Sequence, residues 1–569
     1  MRHRAVKRRS VVVGIGATAG VAAVGGIALT AQASSGASGS SGSSSTNGTN
    51  ASGSAGSSSS DALVFDKDAY STLTTTITDA DGAEHDVEYR FYKAITYVAK
   101  PVDEKYQSLN VSVPVKIDGT AVDATRVPIL FANSVGGYMP SSVADATGVG
   151  GGGMTGMPGG GAPGASASPS ASASPSSSAS ASGEVASGGN GMVNAQGAMV
   201  SLPKLALAAG YVVVEPGARG RTLKNTAGEY YGVAPAAIVD VKAAVRYVRF
   251  NKGRIPGNVD RIVSSGTSAG GALSSLLGAS GDSPLYDKHL EEIGAADASD
   301  AIFATGAWCP ITDLEHADGA YEWNWGSNAT SSGSKVDQTV SKELRSQFAE
   351  YQAALKLRGL GGFGTLTARN YDEYLVKQYL EPSATKYLAA LSTADRESYL
   401  SSNTFITWSG GRAAFSWADF LTHVGARKKT APSFDAFDLS TGENNLFGLG
   451  TTQARHFTAY GAKNDSTGLS SKRVPSDIPD TLRLMNPMPF LVAKPNPHRS
   501  KHWWIRLGTK DSDTSHTVSA NLAAAAHTLG DDVSHLYYWD EGHGANSDPG
   551  DFIEWIARIS GYKGKRSAG

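Results

Sequence analysis

Short apolar runs alternating with stretches of helical spacing constrain this chain more than any other feature. Residues 127–131 and 211–214 are continuous apolar runs, too short for buried helices and suited to strands covered on both faces. Residues 109–115 alternate apolar and polar side chains, the pattern of a half-buried strand. Ile238, Val241, Val245 and Val248 then fall at helical spacing, closed by Asn251-Lys252-Gly253. Residues 261–265 read as the next strand, followed by a helix through Leu273 and Leu277. The rhythm breaks at residue 312 and resumes near 488, with a strand over 503–507, a helix over 518–527 and a strand over 535–539. Strand and helix in this order imply an α/β class: a mostly parallel sheet flanked by helices. The irregular section, 312–487, with helical stretches such as 342–357, reads as an inserted, largely helical cap between core segments 61–311 and 488–569.

Outside these segments the chain carries little that can fold. Arg2, Arg4, Lys7, Arg8 and Arg9 precede an apolar, Gly- and Ala-rich stretch, and Ala31-Gln32-Ala33 offers a small-x-small cleavage site. Residues 1–33 therefore have the layout of an export signal, and Arg8-Arg9-Ser10 resembles a twin-arginine signal. Left uncleaved, the stretch is just long enough to anchor in a membrane. Residues 34–60 are nearly all Ser, Gly, Ala, Asn and Thr, with no apolar surface to offset their ordering entropy. Residues 148–191 form a second low-complexity block, read as a disordered insertion, since long loops cost little to lengthen. With 50 Lys+Arg against 52 Asp+Glu, there is no basic excess to bind nucleic acid. One cysteine, Cys309, leaves no intramolecular disulfide and no Cys-rich metal site. In its apolar run it reads as a buried, inert thiol.

The strongest chemical signal is Gly266-Thr267-Ser268-Ala269-Gly270-Gly271, set between an expected strand and an expected helix. A nucleophile elbow needs small residues around its serine because the turn is too tight for side chains. The same context aims the hydroxyl at the positive end of the following helix. Such a fold places an acid and a histidine later in the chain, each after a late strand. Asp511 follows the 503–507 strand, and His543, flanked by Gly542 and Gly544, follows the 535–539 strand. His543 is then the base for Ser268, with Asp511 orienting its imidazole. His289, His423 and His527 fall in surface or helical segments. His316 has no companion ligand motif and reads as structural rather than as a metal ligand. The oxyanion hole takes one N–H from Ala269 and one from the loop 133–138.

Several long runs carry a family likeness: Val135-Gly136-Gly137-Tyr138, Gly220-Arg221-Thr222, Cys309-Pro310-Ile311, Leu314-Glu315-His316-Ala317-Asp318, Ala320-Tyr321-Glu322-Trp323 and Glu443-Asn444-Asn445-Leu446-Phe447-Gly448. With the nucleophile stretch, they resemble bacterial tannases (tannin acyl hydrolases), α/β-hydrolases that cleave gallate esters. The likeness extends from Leu63 to about residue 559, outside the low-complexity block. It implies Ser268, Asp511 and His543 as the triad, Gly137 and Ala269 as the oxyanion hole, and no metal or cofactor. It further implies that Lys429, Glu443 and Asp513 hold the three galloyl hydroxyls, and that Ile311 covers one face of the ring. By residue type alone, Arg427-Lys428-Lys429 reads as a solvated charge run. A trio of buried charges would reject rings lacking the hydroxyls, because its members would be left unpaired.

One departure is Gly442, which stands where the family has a proline against the other ring face; its loss would loosen the ring site. Another is the insertion after Gly148, close enough to the oxyanion loop to overhang the entrance. The expected partner is a small phenolic ester, with no nucleic acid, and with membrane contact only through an uncleaved anchor. A feruloyl or general phenolic esterase keeps the chemistry and changes the ring. A peptidase of the prolyl-oligopeptidase kind also uses a Gly-x-Ser-x-Gly-Gly elbow, but no repeat array is present to build its propeller. A non-catalytic surface adhesin would suit the Ser/Gly tether, but the chain keeps all three triad residue types.

Overall fold

The computed structural model describes residues 61–154, 192–194 and 197–563. The expected export signal, the Ser/Gly linker and most of the low-complexity insertion therefore lie outside the described residues. The frame is a ten-stranded sheet. Its main strands are β1 (Ser71–Thr78), β2 (Glu84–Thr96), β3 (Ser108–Ile117), β4 (Ile129–Ala132), β5 (Val212–Pro216), β6 (Ile262–Thr267), β7 (Ala304–Trp308), β8 (His502–Gly508) and β9 (Asp532–Tyr538). Across the sheet they run β1-β2-β3-β5-β4-β6-β7-β8-β9. The first four in that order pair antiparallel, and every pairing from β5 onward is parallel.

The parallel centre follows from composition. Every residue of β4, β5, β6 and β7 is buried, which only strands covered on both faces require. The helices that cover them include α1 (Ala236–Phe250) and α2 (Ala269–Ala279). All of α2 is buried, so it is apolar and small all round rather than striped. Chain order reverses at β4, with β5 on one side and β6 on the other. At such a switch point the loops leave in opposite directions and open a crevice at the carboxyl ends of the strands.

Strand β3 departs from the expected half-buried alternation: its first seven residues are all buried, including Asn110 and Ser112. Asn110 stays satisfied by accepting from the Ala94 N–H at 2.7 Å and donating to the Val143 carbonyl at 3.1 Å. The polar positions of the alternation are therefore not solvent-facing: Asn110 is satisfied inside the protein, while the buried Ser112 Oγ has no hydrogen-bond partner among the described residues. Residues 148–154, read as the start of the insertion, also belong to the packed fold. Val149 N–H donates to the Tyr89 hydroxyl at 3.3 Å, Gly150 N–H donates to Glu215 Oε2 at 3.0 Å, and Gly153–Met154 pairs with Ser141–Ser142.

Between β7 and β8 the chain leaves the sheet through a series of helices, beginning with α3 (Leu314–Trp325) and α4 (Gln338–Leu355) and including the short α5 (Gly442–Leu446). Most of their apolar side chains join the same core as the sheet, with Tyr379 stacked on Tyr537 of β9 at 4.8 Å, while Ala320 and Phe348 form a small separate cluster with Val518. After β8, α6 (His516–Thr528) and α7 (Pro549–Ser560) complete the layers. Among the described residues no helix is long and apolar enough to cross a membrane.

Candidate active site

Ser268 stands between β6 and α2 at φ 59°, ψ −120°, a strained conformation for a residue with a side chain. The neighbouring glycines make it possible. A Cβ at Gly266 would lie 2.3 Å from the Gly270 carbonyl oxygen, and one at Gly270 would lie 2.7 Å from Asn133 Oδ1. Ser268 N–H donates to the Trp308 carbonyl at 3.0 Å, and its own carbonyl accepts from Ala272 at 2.9 Å and from Ile311 at 3.2 Å. The elbow is therefore locked to the next strand, and Ile311 is fixed beside it.

Asn133, just past β4, pins the facing loop to the elbow. Its Nδ2 donates to the carbonyls of Ser265 and Gly270, both at 3.1 Å, and to Ser274 Oγ at 3.0 Å. The loop then turns through Gly137 (φ 55°) and Tyr138 (φ 54°). The buried Tyr138 hydroxyl donates to the Ile311 carbonyl at 2.9 Å, and burial, then the Glu443 charge, holds its pKa far above the ordinary tyrosine value. Ala269 opens α2, where an N–H has no acceptor within the helix. Among the described residues neither Gly137 nor Ala269 donates its backbone N–H, so both donors are free for a developing oxyanion.

The expected acid and base meet. Asp511 is fully buried and its Oδ2 lies 2.9 Å from His543 Nδ1. Their loops are laced together: Lys510 N–H donates to the Glu541 carbonyl at 2.8 Å, Thr509 N–H to the Tyr538 carbonyl at 2.9 Å, and Asp540 N–H to Thr509 Oγ1 at 2.8 Å. Burial alone would lower the His543 pKa. The Asp511 carboxylate and the Cys309 sulfur outweigh it and hold the imidazole well above its ordinary value.

Cys309 is buried, as expected. Its Sγ sits 3.9 Å from His543 Nε2, and its backbone holds φ 37° at the end of β7. Among the described residues Ser268 Oγ makes no hydrogen bond to His543. Such contacts are often long in a ligand-free site and tighten with substrate. The one group of metal-ligating side chains within reach of each other, among the described residues, is Cys309, Asp511 and His543. Two of the three are already bonded to each other.

The residues implied for ring binding come from three places. Asp513 follows the acid loop and donates its N–H to Asp511 Oδ1 at 2.9 Å. Burial would raise its pKa, but His543, Lys428 and Lys429 together bring it below the usual carboxylate value. It pairs with the exposed Lys428 at 3.1 Å, and its Oδ2 lies 4.0 Å from His543 Nδ1. Lys429 Nζ instead lies over the Phe434 ring at 3.9 Å. Glu443 sits in α5, close enough to Arg221 for its charge to oppose the lowering of that guanidinium's pKa by burial. Among the described residues no hydrogen bond joins Lys429, Glu443 and Asp513 to one another.

Arg427 corrects the charge-run reading. It is buried against Glu322 of α3, with Nη1 donating to Glu322 Oε2 at 2.9 Å and Nε to the Lys429 carbonyl at 2.8 Å. His423 is likewise no bystander: its Nε2 lies 2.6 Å from Asp540 Oδ1, three residues before His543. His316 is held by Asp313 at 2.9 Å and stacks on Tyr351. The roles of Asn133, Cys309 and Arg221 were missed, although all three lie in segments the sequence had already marked.

Sheet order, switch point and elbow are those of an α/β-hydrolase. A family model described as BD-FAE matches residues 188–354. The native tannin acyl hydrolase of Lactobacillus plantarum superposes with a TM-score of 0.70 at 32% identity, covering 88% of this chain and 100% of that one. A Fusobacterium nucleatum tannase gives 0.69 at 32%, covering 88% and 99%. A tannin acyl hydrolase in complex with ethyl gallate gives 0.70 at 32%, covering 88% and 100%. The comparison with curated proteins gives no match. The chain belongs to the bacterial tannase family of carboxylic ester hydrolases.

Proposed function

We propose that this chain is an exported esterase that hydrolyses galloyl esters through a galloyl-Ser268 intermediate. Ser268 Oγ attacks the ester carbonyl as His543 Nε2 takes its proton, and the N–H groups of Gly137 and Ala269 receive the oxyanion. His543 then protonates the leaving alcohol. A water, deprotonated by the same imidazole, attacks the acyl carbonyl and releases gallate and free Ser268. Asp511 orients the ring and stabilises the imidazolium.

The observation that carries this reading is the Asp511–His543 pair, bonded at 2.9 Å in loops laced together beyond β8 and β9. Support for the ring comes from the relative solved with ethyl gallate and from Lys429, Glu443 and Asp513. Export rests on the basic and apolar layout of residues 1–33.

Hydrolysis of methyl gallate against methyl ferulate by the chain from Asp61 onward, with Ser268→Ala as blank, tests both parts. Fast gallate turnover, little ferulate turnover and an inactive variant are expected. Equal turnover of both esters would replace the galloyl reading with a broad phenolic esterase, and activity surviving in the variant would remove Ser268 as nucleophile.

A further inference from the structure

Arg221 joins the oxyanion turn to the segment carrying Glu443. Its Nε donates to the Gly137 carbonyl at 2.8 Å, and its backbone N–H donates to the next carbonyl, that of Tyr138, at 2.9 Å. One residue therefore grips both peptides of a turn held at positive φ. Its own backbone is anchored two residues earlier, where Arg219 N–H and side chain bind the buried Asp240 of α1 at 2.8 to 2.9 Å. Arg221 cannot retreat as a unit; only its side chain is free to move.

The guanidinium lies against Gly442, the first residue of α5. A Cβ built there would stand 2.7 Å from Arg221 Nη2, 2.9 Å from Cζ and 3.3 Å from Nε. All three atoms belong to the guanidinium, so any side chain at 442 displaces that group rather than the backbone. The guanidinium that lies on Gly442 is the one that holds the Gly137 carbonyl. Burial lowers the Arg221 pKa and the charge of Glu443, the next residue in α5, opposes this. Arg221 thus links the α5 segment to the oxyanion turn.

We propose that Arg221 is a positioning residue for the oxyanion turn, and that Gly442 acts on catalysis by admitting the Arg221 guanidinium. This rests on the reading that Gly137 lines the oxyanion hole. In this chain the absence of a side chain at 442 leaves the guanidinium room to hold the Gly137 carbonyl, and with it the 137–138 peptide next to the Gly137 N–H.

The test is a double-mutant cycle on methyl gallate hydrolysis with Gly442→Ala, Arg221→Gln and the double variant, plus Arg221→Lys. Misplacing an oxyanion donor lowers kcat by about tenfold or more, so both single variants are expected to lose kcat with KM nearly unchanged. In the double variant the added methyl has no guanidinium to displace, and kcat is expected to equal that of Arg221→Gln alone. Arg221→Lys keeps the charge but not the planar fork, and does not restore the rate. Wild-type kcat in Gly442→Ala, or losses that multiply in the double variant, would overturn the proposal. Thermal melting of each variant excludes unfolding as the cause. Failure of the underlying reading is separately visible as activity in Ser268→Ala or rapid hydrolysis of methyl ferulate.

Discussion

The two halves of the site are held by different physics. On the sheet side, Ser268 and the start of α2 are fixed mainly by backbone hydrogen bonds and by glycines that admit close approach, and only the loop carrying Gly137 is held by side chains, those of Asn133 and Arg221. On the cap side, Lys429 and Glu443 are held through buried charged side chains. Asp318 of α3 accepts the N–H groups of Ser433, Phe434 and Asp435 at 2.6, 2.7 and 3.1 Å. Burial, then the neighbouring Asp435, pushes its pKa up to about 7. Asp435 in turn takes His456 Nδ1 and Asn444 Nδ2, both at 2.7 Å, and Asn444 follows Glu443. A backbone-held half tolerates little change in its geometry. A half held by side-chain charge can be re-aimed by single substitutions, so ring choice is expected to vary more readily than chemistry.

Breaking the sheet half is expected to give the largest effect. Asp511→Asn keeps the shape but no longer fixes the His543 tautomer or stabilises its cation, a change worth about 10⁴-fold in kcat in serine hydrolases of this design. Gallate binding by calorimetry should survive, because no ring contact is removed. A loss of binding that matches the loss of rate would mean that the two halves are not separable.

Breaking the cap half is expected to act on stability first. Arg427→Met leaves Glu322 fully buried without its partner, and removal of one member of such a pair typically costs about 3–5 kcal/mol. The same substitution frees the Lys429 carbonyl that Arg427 Nε now holds, so KM for methyl gallate should rise. Denaturant unfolding and steady-state kinetics separate the two effects. A stable variant with unchanged KM would show that the buried pair does not support the ring site.

The same contrast explains what could be read from the sequence. Continuous apolar runs place β4 and β5 because strands covered on both faces need them, and the glycines around Ser268 place the elbow because no other residue fits. Strand β7, Ala-Thr-Gly-Ala-Trp, went unread because its small residues make neither an apolar run nor an alternation. The antiparallel strands β1 and β2 were also passed over. The cap half was legible only through resemblance, and the runs that carried the resemblance hold its buried polar groups: the acids Asp318 and Glu322 in α3 and the neutral amide Asn444 in α5. Charge that is buried and paired over about a hundred residues of sequence, as Arg427 is with Glu322, leaves no local periodicity to detect. The Cys309–His543 contact was hidden for the same reason.

That contact gives the smallest and sharpest test of the sheet half. In the proposed mechanism His543 must be neutral to accept the Ser268 proton, while burial, which lowers its pKa, is outweighed by Asp511 and then Cys309, which hold it well above the ordinary histidine value of about 6.5. The acid limb of kcat/KM should therefore lie above that value. Cys309→Ala removes a contribution that favours the protonated ring, so the limb should move toward lower pH while the rate on the alkaline plateau stays close to wild type. On the limb each pH unit of movement is worth about tenfold in rate, so measurement at a fixed acidic pH magnifies a small change. Asp511→Asn should move the limb in the same direction with a collapsed plateau, which distinguishes the orienting carboxylate from the adjoining thiol. A limb that does not move in Cys309→Ala would mean that the sulfur does not act on the imidazole and only fills space.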